Sequence, residues 1–256
     1  MDHIGEFFPD SPIWFRWLGR LAAPLFFYAL AVGFQHTRNR KKYLLRLYLA
    51  NVGMVFFNQI MCMLQRKLDY VAYQPKNHNI FTTLFCAGVL ICIWENRKEK
   101  KKFFTYIGIY IFWQAMVMGL AILAEAFDYV WRGNALLQTV LRTNYIFPLL
   151  GGIWDAEGGV FFIVLGIWLY CAVENKWKLA LRYILFCGAY MFMCQGDILY
   201  RIMSRFSFWG YHKLADVIYF GSSFVGIPLG TSDLSLLTEF YQWMMIGALP
   251  MMLTCN

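Results

Sequence analysis

Long apolar runs, broken only by short basic hairpins, constrain this chain more than any other feature. A helix needs about 20 mainly apolar residues to cross a bilayer. Six stretches come close to that length or exceed it: 17–34, 43–64, 79–94, 103–126, 145–173 and 183–203. Two more are weaker. The stretch 217–230 is short and carries Gly221, Gly226, Pro228 and Gly230, and 239–255 runs to the end of the chain. Hydrophobic residues make up 60% of the chain and charged residues 15%, against roughly 45–50% and about 25% in soluble domains. A single soluble core could not absorb runs of this length. The expected fold class is all-α: a polytopic transmembrane helix bundle with about eight membrane segments, forming one membrane-embedded domain over residues 1–256.

The net charge of +8 is concentrated in loops. Hairpin 36–46 carries Arg38, Arg40, Lys41, Lys42 and Arg46, hairpin 95–102 carries Arg97, Lys98, Lys100, Lys101 and Lys102, and hairpin 174–182 carries Lys176, Lys178 and Arg182. The positive-inside rule puts these three in the cytoplasm and loops 7–17, 65–78, 127–144 and 204–216 on the other side. This charge reads as topology, and with no RNA-binding motif or soluble basic domain, nucleic acid is excluded as a partner. The seven cysteines form no C-x-x-C pair and none stands near a histidine at ligand spacing. They read as small packing residues, with neither disulfides nor a metal expected. There is no P-loop, G-x-G-x-x-G, H-E-x-x-H or Gly-x-Ser-x-Gly motif, so nucleotide-cradling, zincin and serine-hydrolase chemistry lack support.

Ionisable or polar groups at membrane depth are costly and mark candidate sites. His3, beside Asp2, is either a solvated terminal side chain or a general base, since histidine titrates near neutrality. Neighbouring residues do not share a helix face, so Asp2 would more readily cap or pair than orient His3. Arg20, close to Pro24 in an apolar run, either snorkels to the interface or meets an anionic group such as a developing oxyanion. His36, Arg38, Lys42 and Arg46 serve topology and headgroup contact, or hold the phosphates of a nucleotide cofactor. Asn79 and Thr83 open a span as a helix cap or as a pocket lining. Asp155 and Glu157, set among Gly151, Gly152, Gly158 and Gly159, mark an outer turn or a broken, re-entrant segment. Asp197 and Arg201 have i, i+4 spacing and suit a structural ion pair.

Several of these segments also resemble a known family. They are Asp2-His3-Ile4-Gly5, Gly19-Arg20-Leu21-Ala22-Ala23-Pro24-Leu25-Phe26, and the stretch from Gly33-Phe34-Gln35-His36-Thr37-Arg38 through Lys42 to Leu44-Leu45-Arg46-Leu47. Together they resemble the start of the TraX family of conjugal-transfer membrane proteins, whose members are viewed as pilin N-acetyltransferases. Asn79-Ile80-Phe81-Thr82-Thr83-Leu84 is similar to a family segment, and Asp155-Ala156-Glu157-Gly158-Gly159 matches another loosely.

The resemblance implies an acyltransferase that takes acetyl-CoA (or another acyl-CoA) from the cytoplasm. His3 acts as base, with Asp2 beside it, and Arg20 steadies the oxyanion. Arg38, His36, Arg46 and Lys42 hold the cofactor, and Asn79, Thr83, Asp155 and Glu157 line the substrate site. The implied acceptor is a pilin amino terminus or an envelope glycan, and the implied setting is the lipid of a bacterial inner membrane. An apolar helix precedes the Asp-His pair in the family, and the segment like Gln242–Asn256 continues there into a Tyr-Asn-Gly stretch and one more helix. A longer protein at both ends is therefore expected. A transporter or channel is the alternative reading, although no internal repeat supports it. No oligomeric state follows from the sequence.

Overall fold

The computed structural model describes residues 14–67, 79–132, 145–154, 156–227 and 247–254. Every regular element among the described residues is helical. In chain order they are α1 (Trp14–His36), α2 (Arg40–Lys67), α3 (Ile80–Glu95), a 3-10 turn (Asn96–Lys98), α4 (Lys100–Arg132), α5 (Phe147–Leu149), α6 (Gly159–Tyr170), α7 (Lys176–Gln195), α8 (Ile198–Phe208), α9 (His212–Val225) and α10 (Ala248–Thr254).

Among the described residues, four stretches have the length and composition to cross a membrane: Arg40–Met61, Ile80–Lys98, Lys100–Ala124 and Lys176–Phe208. Leu21–His36 and Gly159–Tyr170 are shorter apolar helices. Among the described residues the structure thus carries an all-α architecture with four stretches of full spanning length, against the about eight segments expected for the whole chain. Large apolar side chains such as Phe104, Ile109, Ile111, Phe112 and Leu123 point outward from α4, as lipid-facing residues do.

The chain divides into two compact units, residues Thr37–Gly159 and residues Met1–His36 with Val160–Asn256. In the first unit, polar residues set the helix ends. The Lys42 N–H donates to Asn39 Oδ1 (3.0 Å) at the start of α2, and Asn79 caps α3 by accepting from the Phe81 N–H (3.2 Å). Asn96 turns the chain after α3 by donating from Nδ2 to Cys92 O (2.8 Å). Arg40 meets Glu95 through two hydrogen bonds, 2.9 Å from Nη2 and 3.4 Å from Nε. That pair ties the start of α2 to the end of α3, and α4 begins at Lys100 immediately after the turn. The basic residues of the first two hairpins therefore collect at one end of α2, α3 and α4.

The second unit is built around aromatic packing. Phe162 meets Phe27 of α1 (centroids 5.8 Å) and Phe186 of α7 (5.6 Å), and Phe161 meets Phe186 (4.8 Å) and Tyr190 (5.4 Å). Aromatic pairs of this kind contribute about 0.5–1.5 kcal/mol each beyond area burial. Lys176 Nζ donates to Leu253 O (3.2 Å), placing a cation at the C-terminal end of α10.

Two expected spans differ from the structure. The stretch 145–173 is not one helix: α5 covers three residues, an irregular stretch follows, and α6 starts only at Gly159. The stretch 183–203 is interrupted at Asp197, which stands at φ 46 as the N-cap of α8. Asp197 accepts the Arg201 N–H through its carbonyl (2.8 Å), so these two residues open a new helix. The start of the 217–230 stretch lies in α9, which stops where Gly226 takes φ 87; Pro228 and Gly230 lie outside the described residues.

Candidate functional site: a clasped break within the helices

The irregular stretch between α5 and Gly159 is the most unusual feature of the first unit. Irregular backbone inside a membrane protein must have its polar groups satisfied by protein or by water. Here α2, α3 and α4 supply donors to four successive carbonyls. Asn51 Nδ2 donates to Pro148 O (2.6 Å) and the Tyr48 hydroxyl to Leu149 O (2.9 Å). Trp113 Nε1 donates to Leu150 O (2.9 Å), and Gln114 Nε2 to Gly151 O (3.1 Å). The Cys86 thiol reaches Gly151 O as well (3.5 Å). Gln114 Oε1 also accepts the Ile153 N–H (2.9 Å) and Gln114 O accepts Trp154 Nε1 (3.1 Å). A single glutamine side chain therefore pairs with the break much as a neighbouring strand would. Farther along, the Thr83 hydroxyl donates to Glu157 O (3.0 Å).

Asn51 is the hub of this network. Its Oδ1 accepts from Asn79 Nδ2 (2.6 Å) and from the Thr82 hydroxyl (2.7 Å), while its Nδ2 serves the break. Asn51 and Thr83 are fully buried at 0% exposure, and Gln114 is at 5%. The break bends tightly. Gly151 sits at φ 64, and a Cβ there would lie 2.7 Å from Phe85 Cε1, so both conformation and space call for glycine.

Counting along the helices gives the depth of this cluster. Asn51 lies 11 residues from Arg40, Thr83 12 from Glu95 and Gln114 14 from Lys100. At about 1.5 Å per residue these are roughly 16, 18 and 21 Å from the shared basic end. The hydrocarbon core is about 30 Å thick, so the break is clasped near half depth.

The structure brings together three of the residues picked out in the sequence. Asn79 is both a helix cap and a buried partner of Asn51, and Thr83 and Glu157 meet through the carbonyl of Glu157. His36 is exposed at the end of α1, and Arg38, Lys42 and Arg46 are exposed around the start of α2. Lys42 and Arg46, four residues apart in α2, share a helix face. Asp2, His3 and Asp155 lie outside the described residues, and Arg20 is placed only as a backbone position on α1. Among the described residues no cluster of three or more His, Cys, Asp or Glu could hold a metal ion.

Sequence reading missed Tyr48, Asn51, Trp113 and Gln114. Asn51 and Gln114 did leave a signal, each being an amide in the middle of an apolar run.

No curated protein and no solved structure gives a significant match to the chain. The family model described as TraX protein does match, over residues 1–212, a stretch that contains the basic end, the polar clasp and the broken segment alike. A helical membrane protein matched over that much of its length belongs to the TraX family.

Proposed function

We propose that this protein is a membrane acyltransferase. It moves an acetyl or other acyl group from acyl-CoA, bound at the basic end, to an amine or hydroxyl presented from the far side of the membrane. The observation that carries this reading is the polar break held at half depth, above a basic end and inside helices matched to the TraX family. A thioester that enters from the basic end meets polar backbone part-way across, where it can be shielded from bulk water.

In this proposal Arg38, Lys42, Arg46 and His36 bind the cofactor's phosphates, and their exposure suits a charged ligand from the aqueous side. His3 takes the proton from the acceptor as its nitrogen or oxygen attacks the thioester carbonyl. Arg20 steadies the oxyanion, and the CoA thiolate leaves and takes up the proton. Asp2 supports His3. Asn79 and Thr83, already engaged in hydrogen bonds, hold the wall of the site; Glu157 belongs to the break that the acceptor approaches, and Asp155 is assigned to substrate binding with it. A pilin amino terminus or an envelope glycan is the acceptor class, and a bacterial inner membrane is the setting. Coupled transporters use unwound carbonyls to coordinate ions. Here carbonyls 148–151 each accept a side-chain donor and keep a second lone pair; the match to the TraX family model, not this network, favours acyl transfer over coupled transport.

The test is transfer of radiolabelled acetyl from acetyl-CoA by the protein in proteoliposomes, with pilin peptide or envelope glycan supplied as acceptor. Activity that is abolished by His3→Ala with the fold intact, and weakened in KM for acetyl-CoA by an Arg38→Ala, Arg46→Ala double variant, is the expected result. Turnover retained in His3→Ala removes that residue as base. Absence of acetyl-CoA binding overturns the reading altogether.

A further inference from the structure

The α8–α9 hairpin of the second unit has no part in the proposed chemistry, yet its construction is specific. α7 holds 20 residues, about 30 Å at 1.5 Å per residue, and so uses the whole hydrocarbon thickness. It starts at the basic residue Lys176 and ends at the break before Asp197. Beyond that break, α8 has 11 residues and α9 has 14, about 16 and 21 Å, so neither can cross.

α8 has two faces. Ile198, Leu199, Ile202, Met203 and Phe206 share one arc, most of it half-buried, while Arg201, Ser204 and Arg205 share the other with the exposed Phe208. At its end Gly210 takes φ 81, and the Tyr211 N–H donates back to Phe206 O (2.8 Å), a glycine-terminated helix end. That turn holds Phe208, Trp209 and Tyr211 outward at 87, 60 and 57% exposure. The Phe206 ring braces the last two edge-on, at 6.1 and 6.5 Å. Around them Arg201, Arg205, His212 and Lys213 are exposed, and Asp216 is the only acid between residues 198 and 225.

Outward aromatics set among cations on a helix too short to span match the headgroup layer of a bilayer. Ring bodies settle at the acyl boundary there, and cations meet phosphate. We propose that α8–α9 does not cross the membrane but lies in the headgroup layer at the far end of α7. Phe208 and Trp209 enter the acyl boundary, and Arg201, Arg205 and Lys213 bind anionic phospholipid. The exposed aromatics set among exposed cations favour anionic lipid over a polypeptide occupant.

The test places p-benzoyl-phenylalanine at position 208 of the full chain and, in a separate sample, at Phe112, an outward residue of α4. Both samples are reconstituted in phosphatidylcholine vesicles with and without phosphatidylglycerol, irradiated, and analysed by mass spectrometry of the adducts. Position 208 is expected to capture phospholipid through its glycerol or upper acyl carbons. The ratio of phosphatidylglycerol to phosphatidylcholine adducts should exceed their ratio in the vesicle by at least about fivefold, and Arg201→Gln with Arg205→Gln should remove most of that excess. Position 112 should capture acyl chains without headgroup preference, which also reports an intact fold. The proposal is overturned if position 208 yields no lipid adduct while position 112 does, or captures mainly polypeptide. It is likewise overturned if the adducts lie at acyl-chain ends, or if their headgroup ratio ignores the arginines.

Discussion

Gln114→Ala tests whether the clasp holds the break in place. The substitution deletes two hydrogen bonds at a site that is 5% exposed: Nε2 to Gly151 O at 3.1 Å, and the Ile153 N–H to Oε1 at 2.9 Å. The two losses are unequal. Gly151 O keeps its contact with the Cys86 thiol, so its share is that of an ordinary bond between membrane helices, about 0.6 kcal/mol. The Ile153 N–H loses its glutamine acceptor. A buried donor left unpaired costs about 1–3 kcal/mol, and the vacated volume adds to this. Membrane bonds average low because unfolded helices find other partners within the lipid. Ile153 lies in irregular backbone that reaches interfacial water once unfolded, so its native-state loss is felt in full. The expected destabilisation is about 2–4 kcal/mol, measured by SDS-driven unfolding in mixed micelles. Gln114→Leu, which keeps the volume, should lose nearly as much. Thr105→Ala, which removes an exposed bond to Lys101 O, should lose almost nothing. If Gln114→Ala costs under about 1 kcal/mol, like an ordinary bond between membrane helices, the clasp does not hold the break.

Other substitutions probe neighbouring parts of the same reasoning. Gly151→Ala combines a left-handed φ with a 2.7 Å approach to Phe85 and should cost about 1–3 kcal/mol in the same assay. In Gly108→Ala the added carbon meets nothing within 4 Å, so the change should stabilise α4 by up to about 1 kcal/mol; a loss there would mean that this face of α4 is covered. Arg40→Gln should cost no more than about 1 kcal/mol, because the pair with Glu95 is roughly 30% exposed on both sides. Its effect should shrink as salt rises, and a salt-independent loss would mean that the pair is buried in the folded membrane protein.

What the sequence made legible was local. Asn79 could be read as a cap because its Oδ1 serves a backbone N–H two residues on. The glycines around Asp155 and Glu157 signalled a possible break because glycine frees the backbone locally. What hid the rest was distance along the chain. The hydrogen bonds that make irregular backbone tolerable at half depth come from residues 97, 101 and 37 positions away: Asn51, Tyr48 and Gln114. An averaged hydropathy reading of 145–173 therefore sees one long apolar span, because the residues that solvate the break lie in other helices and are counted there as minor blemishes. Asn51 and Gln114, taken singly, are amides that a membrane helix ought not to bury. Taken with the glycine-rich break, each has the partner that explains it. An unexplained amide in the middle of one span and an over-long span elsewhere are then two halves of one observation: the amide says that something non-helical lies beside it, and the over-long span says where the non-helical piece is.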